Sequence, residues 1–409
     1  MEPIRPKGYT RRAFLKATGT GALALSSLGR SLPARAAQGP VTIGGTMALT
    51  GPFSAPGTWF ERVWRWYWTE YVPANGGLLG RPVRLTLYDD QSDPARAASL
   101  YQRLITVEKV DLLLGPYPTP TEAAVIPITE GYKRVLPNAG TVASNLLLGK
   151  GNRYTFTAYT EMDVDYVRPW FEWMDSLGSK RPQRLAILTL RNPFTLGVRK
   201  GAQDRAAARG MAVALDEIYD PSTTNFGPLV RRARDAGADA ICLLSYFPDS
   251  VSITRATRDL GYNPTTIFNA ISSNLPEWAK DLGGTGEYAM SFTQCWHSLK
   301  THENAEVWAM LQKKFQVARM PFHAGVAMNA AQLLRQGVEG ARTIENQDAI
   351  AEFLRTHVIQ TVSGPVRFNA EGIPNYFGML TQVLNGNAEV VWPLVYKTAK
   401  GAFPKPPWT

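Results

Sequence analysis

From residue 41 onward, short apolar runs alternate with longer stretches in which apolar side chains recur at helical spacing. VTIGGTMAL (41–49), VRLTLYDD (83–90), DLLLGP (111–116) and RVLPNAG (134–140) read as strands. Between them, WFERVWRWYWTEYV (59–72) places Phe60, Val63, Trp64, Tyr67 and Tyr71 on one helical face. Asp93-Pro94 supplies a helix cap followed by proline in the first turn, so a helix is expected to about Glu108. TEAAVIPITEGY (121–132) reads as the next helix. After a link at YTFTAYTE (154–161) the pattern restarts. RLAILTL (184–190), AVALDEIY (212–219), AICLLSY (240–246) and TTIFNA (265–270) read as strands with helices between them. Apolar strands separated by helices predict parallel sheets covered on both faces.

The pattern therefore predicts an α/β chain with two doubly wound units, about 40–157 and 158–291. The remainder begins with helices at AEVWAMLQKKFQ (305–316) and FHAGVAMNAAQLLRQGVE (322–339). It ends in strand-like pieces at GPVRFN (364–369), GMLTQVLNG (378–386) and EVVWPLV (389–395), and FPKPPWT (403–409) reads as a loose tail.

The first 36 residues stand apart. A basic segment carries the pair Arg11-Arg12 in TRRAFLK, a mild apolar stretch follows, and Ala34 and Ala36 sit two apart as a signal peptidase requires. This is the anatomy of a signal peptide of twin-arginine type, and its apolar part is too short for a membrane anchor. The segment changes the charge argument. Residues 1–36 carry seven basic residues against Glu2, so removing them lowers the net charge from +10 to about +4. That value, with no basic stripe, excludes a nucleic-acid partner. Cys242 and Cys295 read as unpaired, packed thiols.

Catalytic chemistry is hard to place. The four histidines, His297, His302, His323 and His357, form no HExxH or zinc-like spacing, and there is no GxSxG elbow, GxxxxGK[ST] loop or complete GxGxxG after a strand. His323, among the apolar residues of PFHAGVAM, reads as a packed core histidine. Three acids in YDDQSDP (88–94) suggest strand-end and helix-cap duties rather than a metal, so no cofactor and no metal are expected. LLLGPYPTPTEAA (112–124) is different: a strand ends in a small, hydroxyl-bearing turn that opens a helix. Open α/β sheets bind ligands at such strand ends, and helix N-termini offer N–H groups to anions.

The order MALTGPFSAPG (47–57), NGGLLGRPVRLTLYDDQSDPARA (75–97), LLLGPYPTPTEAA and GPVRFNAEGI (364–373) resembles the periplasmic substrate-binding proteins of branched-chain amino-acid-type ABC transporters. These are type I binding proteins of the leucine/isoleucine/valine-binding family, and the resemblance covers about 40–396. It implies two Rossmann-like lobes joined by a three-crossover hinge, with crossovers near 157–160, 290–294 and 377–380. One lobe would be 40–158 plus 293–378, the other 159–292 plus 379–409. It implies a non-enzymatic, periplasmic protein that closes on a small molecule and delivers it to a permease with ATPase subunits, touching the membrane only through that permease. The same fold would serve a sensory module feeding a receptor kinase. An exported hydrolase is the remaining alternative, for which no nucleophile, base and oxyanion set is visible.

By the same resemblance Thr119 would bind the ligand's carboxylate, and Ala139, Gly140 and Thr141 would contribute from the next strand end. Phe194 and Tyr246 match aromatic positions after two strands of the other lobe, and Tyr117, Phe53 and Trp59 are further lining candidates. Trp296, near a crossover, would sense closure. One departure stands out. Amino-acid binders of this family carry an acid after the strand matching TTIFNA, whereas here Ile271, Ser272, Ser273 and Asn274 follow, with no acid before Glu277. A buried ammonium without a carboxylate is costly. The expected ligand is a small carboxylic acid, aromatic or not, or an amide-like compound held by Ser272 and its neighbours, rather than an aliphatic amino acid.

Overall fold

A computed structural model describes residues 39–375 and 377–408. The twin-arginine-type segment lies outside the described residues. The first strands are β1 (Val41–Met47), β2 (Val83–Asp89) and β3 (Leu112–Leu113), which form a parallel sheet in the order β2-β1-β3. Beside them β4 (Leu136–Asn138) pairs in parallel with β5 (Thr155–Thr157).

The second sheet takes β6 (Arg184–Leu190), β7 (Ala212–Tyr219), β8 (Ala240–Leu244), β9 (Thr266–Asn269) and β10 (Ala289–Thr293). A small antiparallel pair, β11 (Ile359–Thr361) and β12 (Gly364–Val366), precedes β13 (Met379–Leu384) and β14 (Asn387–Trp392). The seven-stranded order is β14-β13-β10-β9-β8-β6-β7, with β13 antiparallel to β10 and β14 antiparallel to β13. β8 and β9 are buried along their whole length, as their unbroken apolar character requires of strands covered on both faces.

The helices form where the spacing predicts them, with informative differences at the ends. The first helix starts at Ser54, earlier than the aromatic stripe, and continues through a π-helical turn at Tyr67–Tyr71. Asp93 caps the helix Pro94–Thr106 by accepting the N–H of Ala95 at 2.8 Å. Asp89 accepts the N–H groups of Leu49, Thr50 and Gln91, and Asp90 accepts the Thr46 hydroxyl at 2.8 Å. All three acids of YDDQSDP are thus spent on loop and helix ends. The C-terminal helices join the first sheet's side: the Trp64 indole donates to the carbonyl of Ala327 in Phe322–Ala341 at 2.7 Å.

Three separate segments meet between the sheets. The Gln294 carboxamide accepts the N–H of Thr160 and donates to the carbonyl of Ala158, both at 2.9 Å. Phe377 N–H donates to the Thr160 carbonyl at 3.0 Å. The C-terminus is not loose. Lys405 is 3% exposed, its N–H donates to Thr265 at 2.7 Å, and the Trp408 indole donates to Tyr262 at 2.6 Å. Phe403 packs edge-on against Trp173. The prolines fix an extended path that lays these apolar groups along the second sheet's flank. Cys242 and Cys295 are both unpaired and buried, and burial pushes the Cys295 thiol up to about 12, which makes it inert. Among the described residues no helix is long and apolar enough to cross a membrane.

Candidate ligand-binding site

The carboxyl ends of β3, β4, β6, β8 and β9 converge on one cavity. On the first sheet's side, the turn after β3 presents Tyr117 and then Thr119, the first residue of the helix Thr119–Gly131. The Thr119 hydroxyl lies 3.1 Å from the Gly140 carbonyl and 3.1 Å from the Thr141 hydroxyl. Glu122 N–H closes back to Pro118, while the Thr119 amide stands at the helix's positive end, facing the Tyr246 hydroxyl.

After β4 the loop folds around one side chain. The Asn138 carboxamide accepts the N–H groups of Gly140 (3.0 Å) and Thr141 (2.9 Å) and donates to the Thr141 carbonyl (2.8 Å). Gly140 is required there: a Cβ would sit 2.4 Å from the Pro116 carbonyl and 2.8 Å from the Glu122 carboxylate. Val142 completes this wall.

The facing wall is aromatic. Asn192 caps the helix Pro193–Ala207 by accepting the Phe194 N–H at 3.0 Å, which turns Phe194 into the cavity. Tyr246 follows β8 and Ile271 follows β9. Tyr159 and Tyr166 come from the segment between the two sheets; the Tyr159 hydroxyl donates to the Ala139 carbonyl at 2.7 Å, and Tyr166 packs on Phe194 and Phe292. Phe322 and His323, at the start of the helix Phe322–Ala341, close the remaining side.

His323 is the unusual member. It is 1% exposed, and neither ring nitrogen has a hydrogen-bond partner. Its neighbours include the rings of Tyr117 (5.1 Å between centroids), Phe322 (5.1 Å) and Phe60 (5.8 Å). Burial pushes its pKa down to about 3, so the imidazole is neutral at physiological pH. The expectation of a packed core histidine captures its burial but not its open nitrogens.

The structure gathers Tyr117, Thr119, Gly140, Phe194 and Tyr246 on the cavity wall. It places the other candidates elsewhere. Ala139 and Thr141 sit just behind, one with its carbonyl bonded to Tyr159, the other bonded to Thr119. Ser272 is turned away: its hydroxyl donates to Ser250 at 2.9 Å, and its neighbour Ile271 lines the cavity instead. Phe53 backs Tyr246, 5.0 Å between ring centroids. Trp59 donates to Glu277 at 3.3 Å, with the Arg62 guanidinium 4.4 Å above its ring. Trp296 packs with Met379 and Val390 in a separate cluster. Val142, Tyr159, Tyr166, Ile271, Phe322 and His323 were not legible as site residues.

No lining residue carries a formal charge. Glu277 is engaged with Trp59, and Glu122, behind Gly140, is fully buried, which raises its carboxyl well above the usual range and favours the neutral acid. Among the described residues no group of three or more metal-ligating side chains is assembled. An aromatic cavity with a hydroxyl-bearing helix start is equipped to bind a small molecule.

Residues 40–387 match the sequence profile of the periplasmic binding proteins. The chain belongs to that family. Its members are binding proteins of transporters rather than enzymes. Like a Leu/Ile/Val-binding protein homolog of Brucella abortus, to which it is 27% identical over 256 residues, this chain is a family member aligned over part of its length: the match covers 61% of the chain and 58% of the relative. The fold is that of type I periplasmic binding proteins, with two lobes. A leucine-binding protein of Thermotoga maritima superposes with a TM-score of 0.76 at 20% identity, covering 86% of this chain and 97% of that one. A solute-binding protein of an ABC transporter from R. palustris, crystallised in complex with benzoate, gives 0.75 at 16% identity, covering 86% and 96%.

Proposed function

We propose that this periplasmic binding protein is the solute receptor of an ABC importer that captures a small carboxylic acid, an aromatic one foremost, and hands it to a permease coupled to ATPase subunits. The observation that carries the reading is the composition of the cavity wall. Six aromatic rings (Tyr117, Tyr159, Tyr166, Phe194, Tyr246 and Phe322) surround a space that opens onto the Thr119 hydroxyl, and the wall carries no carboxylate. A carboxylate ligand gains charge-assisted hydrogen bonds from Thr119 and the positive helix end. An amino acid's ammonium gains nothing comparable and loses its hydration. The benzoate complex of the R. palustris protein supports the reading only in that the same fold accommodates an aromatic acid.

In this proposal the lobes are 40–158 plus 293–378 and 159–292 plus 379–409, and they close about the segments joined by Gln294. The chain is exported to the periplasm by the twin-arginine route.

The test is a thermal-shift panel on protein refolded to strip carried ligand. Benzoate, short aliphatic acids, benzamide, leucine and valine are compared. A ligand at 100 times its dissociation constant adds about 2.7 kcal/mol of stability. A shift with benzoate and none with leucine is expected. Tight binding of leucine or valine, with no response to any acid lacking an ammonium, overturns the proposal.

A further inference from the structure

We infer that His323 is a specificity-determining residue that recognises a second polar group on the ligand, a hydroxyl set apart from the carboxylate. This inference rests on the aromatic-acid reading and sharpens it to hydroxylated aromatic acids. A neutral imidazole carries one N–H donor and one acceptor nitrogen. Both nitrogens of His323 are buried and unpartnered, and among the described residues no other histidine shares that condition. Native proteins rarely leave such groups unmade, because a buried polar atom forfeits its water without recompense.

The rings of Phe60, Tyr117 and Phe322 pack against the imidazole, and His323 itself lines the cavity. Among the described residues no group of the protein, the Tyr117 hydroxyl included, pairs with either imidazole nitrogen. A ligand hydroxyl donates to one nitrogen, or accepts from the other, so it satisfies either tautomer. An unsubstituted ring leaves both nitrogens stranded. The carboxylate is already provided for at Thr119, which also lines the cavity, so the two groups are read by different residues.

Isothermal calorimetry of the chain at neutral pH tests this, with benzoate, 3-hydroxybenzoate and 4-hydroxybenzoate as probes. At least one hydroxybenzoate is expected to bind about tenfold or more tighter than benzoate, the discrimination of one buried hydrogen bond. In His323→Phe that advantage is expected to vanish, the ratio of hydroxybenzoate to benzoate affinity falling to about one. His323→Gln, which keeps a donor and an acceptor, is expected to restore part of it. Equal binding of benzoate and both hydroxybenzoates to the unsubstituted protein overturns the inference and leaves the aromatic-acid reading standing. So does an advantage that survives in His323→Phe. Failure of all three acids to bind overturns both. Should His323→Phe not fold, the comparison of the three acids on the unsubstituted protein still decides.

Discussion

The two walls of the cavity are built by different rules. On the first sheet's side, the polar lining is fixed by hydrogen bonds: Thr119 to the Gly140 carbonyl, and the loop around Gly140 to Asn138. On the second sheet's side packing dominates, with Phe194 on Tyr166 and Tyr246 against Phe53, and the Asn192 cap adds one backbone hydrogen bond at Phe194. One wall therefore offers direction and the other offers area. Hydrogen-bonded positions tolerate little change in shape, whereas an apolar wall adapts to ligands of different outline.

Breaking the polar wall is expected to have the largest effect. In Gly140→Ala the new Cβ meets the Pro116 carbonyl at 2.4 Å, so the loop has to move. Overpacking of this kind costs about 1–3 kcal/mol, and ligand-induced thermal shifts should disappear along with several degrees of melting temperature. Thr119→Val keeps shape and removes the hydroxyl. Affinity for a carboxylate ligand should fall roughly ten- to a hundredfold by calorimetry, with the apo melting temperature nearly unchanged.

His323 yields a pH signature. Its pKa is held at about 3 in the folded protein by burial, against an ordinary value near 6.5. Between those values the unfolded chain binds the extra proton, so stability rises with pH across the window and is lost as pH falls through it. The slope is about 1.4 kcal/mol per pH unit, and urea melts from pH 4 to 6.5 should show His323→Phe as the flatter curve. Loss of the difference between the two proteins would mean the imidazole is charged when folded. The smallest effect belongs to the aromatic wall: Tyr246→Phe keeps the ring and should change benzoate affinity less than about tenfold. A larger loss would move Tyr246 to the side of the polar anchor, whose Thr119 it faces.

Much of the fold is readable because period-2 and period-3.6 patterns are local. RLAILTL and AVALDEIY become strands over Arg184–Leu190 and Ala212–Tyr219 without adjustment. The site is only half readable. Tyr117, Thr119, Phe194 and Tyr246 follow strands directly, so the topology alone sends them to the strand ends. Tyr159 and Tyr166 sit in an irregular link, and Phe322 and His323 open a helix far along the chain, where no local pattern signals that the helix points at β3. Trp59 and Trp296 show the converse. Both are large aromatics near the right elements, but Glu277 engages one and Met379 and Val390 enclose the other. The tail departs from its expected looseness because prolines and lysines suggest solvent, whereas Phe403 and Trp408 find partners on the second sheet's flank.

The order of the seven strands also sets a timetable. β13 and β14, which complete the second sheet beside β10, follow it only after a long helical stretch of the chain. Until residue 379 emerges, β10 is an unprotected edge whose five residues, all buried in the finished protein, are free to pair with another chain. The nascent protein's hazard is therefore one of timing, set by the interval between the making of Ala289–Thr293 and that of its antiparallel neighbour.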